Sequence, residues 1–275
     1  MGELEIPDLS ALGVGGTATG AGALALYWTF GPSIKAVGNA FGEWTEYRVR
    51  NLLRLGDRIA ARTGEGAPAD GQTIHPRVVK QLIEEASWID DDLHQEYLAG
   101  LFIASRSPQG KSDDGAYYAR LVAGLTASQV RLHYGIYQAY YDTIPADGHI
   151  KNFGGTVEDR RSMAIVASNE AYRAMAAGEE TDAWGPFSVA SNGLDREGLI
   201  HQCAPPDGAL NETHRAAIPS LLGAIIYHRA LNYVPVGIEA IRVSREQLKR
   251  INPSYTFAEL TPAPPRLAGA QVMSV

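Results

Sequence analysis

Cysteine is almost missing from this 275-residue chain: Cys203 stands alone. That excludes an internal disulfide and a zinc site built on cysteines, and a single thiol fits a reducing compartment. Positive charge is also in short supply, with 24 Lys+Arg against 31 Asp+Glu and a net charge of −7, which argues against a nucleic-acid coat. The seven histidines form no His-Glu-x-x-His motif or other tight metal spacing, and no Gly-x-Ser-x-Gly elbow occurs. No pattern calls for a cofactor. What is present suffices for a folded core, at 45% hydrophobic and 20% charged residues.

The N-terminus opens Met1-Gly2-Glu3-Leu4-Glu5, acidic where a secretory signal would be basic, and Ile6 stands where a myristoylation signal would have Ser or Thr. From Leu9 to Ile34 the chain then runs 26 positions without a charge. A helix needs roughly 20 apolar residues to cross a bilayer. Glycines dilute this run and Pro32 breaks it, so only Ala21–Phe30 is properly apolar, closing on Tyr27 and Trp28 at the position of interfacial anchors. Gly16/Gly20 and Gly38/Gly42 recur at the four-residue spacing that lets helix backbones approach closely. The arm therefore reads either as a segment docked on the body or as a membrane contact. Gly13-Val-Gly15-Gly-Thr-Ala18 lacks a preceding strand and Ser105–Ser112 lacks the first glycine of a phosphate loop, so neither reads as a nucleotide site.

Periodicity predicts a mainly α fold: a Gly-rich arm (1–32), a long helix (33–62), a helical domain (72–145), a mainly helical region (156–260) and a disordered Pro-rich tail (261–275). Pro76 suits a helix first turn, Asp90–Asp92 a helix N-terminus, and Leu93, Tyr97, Leu98, Leu101 and Phe102 one amphipathic face. Thr126-Ala-Ser-Gln129 has the form of a capping box. Further helices are expected over 157–177 and 213–231, the latter kinked near Pro219, with a short one near 194–201 between them. An alternative for the C-terminal part is a small α+β winged-helix-like unit, with strands in Tyr233–Ile238.

The most informative charge pattern is Arg50, Arg54, Arg58 and Arg62, one every four residues. Residues 35–62 carry six basic and three acidic side chains, a local net of +3 on an acidic chain. Such a stripe either pairs with acidic helices of the same fold or meets an anionic surface, and its place after an uncharged arm favours lipid headgroups. Asp90, Asp92, His94 and Glu96 come nearest to a metal cluster, but residues two apart on a helix do not converge.

Phe30-Gly-Pro-Ser-Ile-Lys-Ala-Val-Gly38, followed by Glu43-Trp44 through Arg48-Val-Arg50-Asn51-Leu-Leu-Arg54-Leu55, resembles the opening of the Abi-alpha (abortive infection alpha) family. Pro76–Leu101 resembles that family's helix, acidic turn and second helix, with Tyr97 where the family has Trp, and Leu125–Val130 its later turn-helix segment. The resemblance covers about Phe30 to Val130. It implies a bacterial or phage-linked protein of anti-phage defence, without catalytic residues to carry over. The chain accordingly reads as a non-enzymatic cytoplasmic effector or accessory protein, peripheral to or inserted in the inner membrane. Its partners would be anionic lipid through Tyr27, Trp28 and the arginines, a second copy, or a phage or host protein. The runner-up is a nucleic-acid- or protein-binding regulator.

Overall fold

The computed structural model describes residues 42–63, 72–143, 163–177, 184–203, 214–232, 234 and 270–272. These are mainly α, with eight helices and two small antiparallel sheets among the described residues. The chain divides into two compact units, 1–120 and 121–275. The arm residues Gly16, Gly20, Tyr27, Trp28 and Gly38 lie outside the described residues; Gly42 opens the first of the described helices.

The first unit is built on helices α1 (Gly42–Thr63), α2 (Pro76–Ala86) and α3 (Asp92–Ala104). Pro76 occupies the first turn of α2, where its missing N–H costs nothing, and His75 Nδ1 accepts from Arg77 N at 3.2 Å. Asp91 caps α3, its Oδ1 accepting from His94 N at 2.9 Å. The single amphipathic face expected for α3 is too narrow: His94, Gln95 and Glu96 are buried beside Tyr97, Leu98 and Leu101, so the helix is covered all round. Leu55, Val78, Leu82 and Ala86 complete the core. A ribbon of β1 (Gln72–Ile74) and β2 (Arg106–Pro108) pairs antiparallel within the stretch expected to be a helical domain. Helix α4 (Asp114–Ala123) follows.

The second unit centres on α5 (Ala127–Thr143). The capping box closes reciprocally: Thr126 Oγ1 accepts from Gln129 N at 3.2 Å and Gln129 Oε1 accepts from Thr126 N at 2.6 Å. Beyond α5 the helical expectation needs correction. Among the described residues of the expected 157–177 helix, Ile165–Ser168 is a strand, β3, and Asn169–Ala177 (α6) is helical. Trp184–Arg196 is a full helix, α7, followed by β4 (Ile200–Cys203) rather than a short helix across 194–201. His214–Pro219 is strand β5, and helix α8 begins only at Leu221 and ends at Ala230. The tail expected to be disordered contributes β6 (Gln271–Val272).

The sheet order is β4-β5-β3-β6, with Ile165 opposite both Ala217 and Val272. Pro219 is the last residue of β5, opposite Ile200 of β4 and beyond the end of β3, so its missing donor falls at the end of the ladder. The strand at 214–219 occupies the start of the helix on which the winged-helix arrangement depended; Tyr233–Ile238 falls outside the described residues except for Val234.

Ser220 joins sheet to helix. Its Oγ accepts from Gly223 N at 3.0 Å and donates to Gly198 O at 2.6 Å. Beside it, Tyr137 Oη accepts from Ser220 N at 2.8 Å and donates to Leu199 O at 2.6 Å. Gly223 is required by this junction, because a Cβ there would lie 2.2 Å from both Leu199 O and Tyr137 Oη. Gly223→Ala is expected to destabilise the second unit by about 1–3 kcal/mol, the usual cost of overpacking, read as a lower urea midpoint.

Candidate functional site

The arginine series does not form one surface. Each four-residue step advances a side chain by about 40° around an α-helix, so Arg62 stands about 120° from Arg50. Arg54 is exposed, and Arg50 pairs with Glu46 of its own helix, at 2.7 Å and in solvent. Arg58 and Arg62 have rotated toward α3. Arg58 pairs with Asp92, and its Nε lies 2.9 Å from Glu96 Oε1, while Arg62 pairs with the other oxygen of Glu96. The anionic-surface role expected of all four is therefore corrected for Arg58 and Arg62, whose guanidinium groups are held by carboxylates of the same unit. Burial lowers the Arg62 pKa, opposed by Glu96 and reinforced by neighbouring Arg58.

Side chains of Tyr47–Asn51 and of Gln95 meet at the turn between α2 and α3. Asn51, fully buried, donates from Nδ2 to Ser87 O at 3.0 Å, and Tyr47 Oη donates to Trp88 O at 3.2 Å. Arg48 donates to Ser87 Oγ at 2.9 Å while its guanidinium lies 4.6 Å over the Trp88 ring. From the other side, Gln95 Nε2 donates to Ala86 O at 3.1 Å and Ile89 O at 2.6 Å. These side chains satisfy the carbonyls that a helix C-terminus leaves open. Asn51 and Arg48 thus act in positioning α1 on the turn.

The acidic residues at the start of α3 are taken up in contacts within the unit. Asp91 is engaged as a cap and Asp92 and Glu96 with arginines, and no group of three metal-ligating side chains occurs among the described residues. Ser105–Ser112 forms β2 and its turn rather than a phosphate cradle.

A second concentration of chemistry lies in the interior of the second unit. Tyr227 stacks on Tyr141 (5.5 Å, 15°) and on Tyr137 (5.7 Å, 26°), with Tyr134 at 6.0 Å. His133 tilts against Tyr137 at 4.5 Å, and His228 Nε2 lies 2.7 Å from Tyr141 Oη. Burial pushes both histidines down to about 3, opposed at His133 by a hydrogen bond with the Gly223 backbone, and pushes the Tyr137, Tyr140 and Tyr141 hydroxyls well up. The histidines are therefore neutral near pH 7. The signal was present in the spacing Tyr134/Tyr137/Tyr141, one helical face, but its partners Tyr227 and His228 are remote in sequence.

A shallow groove of about 330 Å³ on this unit is lined by Gln129, Val189, Asn192, Gly193 and Arg196 and offers amides and a guanidinium. Comparison with family models, curated proteins and solved structures gives no match for the chain. No helix among the described residues is long and apolar enough to cross a membrane.

Proposed function

We propose that this chain is a non-catalytic protein of anti-phage defence that works by abortive infection at the cytoplasmic face of the inner membrane. The defence role rests on the likeness across Phe30–Val130. The membrane role rests on one observation: Arg50 and Arg54 face solvent on the helix that follows an uncharged 26-residue arm. Basic residues near an anionic leaflet contribute about 1 kcal/mol each, so the outward pair and Lys35 supply an electrostatic anchor for an arm that carries Tyr27 and Trp28. Arg58 and Arg62 stand outside this anchor because Asp92 and Glu96 already hold them.

Flotation with vesicles containing phosphatidylglycerol tests the membrane role. The chain is expected to float with anionic but not zwitterionic vesicles, and Arg50→Gln with Arg54→Gln to weaken binding about thirtyfold. Failure to float removes the membrane role. Plating efficiency of phage on cells expressing the chain tests the defence role separately, and unchanged plating would overturn it.

A further inference from the structure

We propose that Tyr141 and His228 form a proton-coupled redox site that stores a tyrosyl radical inside the second unit. Tyr141 Oη and His228 Nε2 lie 2.7 Å apart, and both residues are shielded from solvent. The phenol is the stronger acid of the pair, so it donates and the neutral imidazole nitrogen accepts. A one-electron oxidant of the peroxyl or carbonate-radical class removes one electron from Tyr141. The phenolic O–H bond then breaks and its proton passes to Nε2, forming an N–H bond. The products are a neutral phenoxyl radical at Tyr141, an imidazolium at His228 and an oxidant reduced by one electron. Return of one electron and of the same proton restores the resting pair.

Neighbouring rings let the electron vacancy be exchanged within the core. Tyr227 is stacked between Tyr141 and Tyr137, and Tyr140 meets Tyr141 edge-on at 5.2 Å with its own hydroxyl 3.5 Å from Met163 Sδ. Each step joins side chains in contact. The vacancy settles where oxidation can be coupled to loss of a proton. Tyr137 and Tyr172 donate to the Leu199 and Ile165 carbonyls, which are feeble bases, whereas Tyr141 faces an imidazole nitrogen. Burial keeps the phenoxyl away from solutes that would reduce it or couple with it.

The test uses the full chain with 3-fluorotyrosine placed at position 141, a change of one atom that keeps ring and hydroxyl. Photogenerated ruthenium(III) tris-bipyridine is the oxidant, and freeze-quench EPR is the readout. A long-lived tyrosyl signal split by fluorine is expected, lost in Tyr141→Phe and lost in His228→Phe, with folding of each variant checked by near-ultraviolet circular dichroism. A signal without fluorine splitting, or one surviving in a folded His228→Phe variant, overturns the proposal. If that variant does not fold, a solvent-deuterium effect on formation of the fluorine-split signal decides the proton transfer, and its absence overturns the coupling.

Discussion

Acidification is expected to unfold the second unit at a mildly acidic pH. His133 and His228 have folded pKa values of about 3, against 6.5 for an unperturbed imidazole. The sign follows from linkage: below pH 6.5 the unfolded chain takes up protons that the folded unit refuses. Stability from these groups is therefore complete above 6.5 and drains away as pH falls toward 3. Each histidine contributes on the order of several kcal/mol, comparable in sum to the whole stability of an ordinary domain, about 5–15 kcal/mol. Tyrosine fluorescence followed against pH should show the transition above pH 4 or so. His133→Phe, which keeps a ring beside Tyr137, should move it to lower pH. An unchanged midpoint in that variant would assign the acid transition to other groups. At the alkaline end the raised tyrosines act in the opposite sense: their stability is full below about pH 10 and is lost as pH rises toward their folded values.

Replacing Glu96 by alanine should produce the largest loss in the first unit, about 3–5 kcal/mol. The Glu96 side chain is 5% exposed and is shared by Arg58 and Arg62, so its removal takes a buried carboxylate from two poorly solvated guanidinium groups at once. Asp92 meets the same Arg58 but is 59% exposed, and Asp92→Asn should cost no more than about 1 kcal/mol. Urea denaturation of both variants measures the contrast. Equal losses would mean that the ion pairs are screened alike and that Glu96 does not organise the helix pair.

Local chemistry made part of this architecture readable from residues alone. Thr126 with Gln129, Asp91 ahead of His94, and Pro76 at the start of α2 act over three or four positions, so their sequence patterns contain both partners. The strands were misread because Ala216-Ala217-Ile218 is apolar without interruption, a pattern equally suited to a buried helix or a central strand. The partner that decides between them, β3, lies about fifty residues earlier. The arginine spacing was visible, but its split was not. A four-residue repeat looks like one face until its slow rotation is set against the position of Glu96 on another helix. The Tyr141–His228 contact, likewise, joins positions 87 residues apart.

In the four-stranded sheet the shortest loop to close joins β4 to β5, since Cys203 already faces Ala216, whereas Ile165 must wait for Ala217 and then for Val272. Closure entropy grows with the length of chain enclosed, which favours a nucleus formed by β4, β5 and the Ser220-capped start of α8. By the same rule β3 joins later, and until it does one side of β5 presents a bare ladder to any other extended chain within reach.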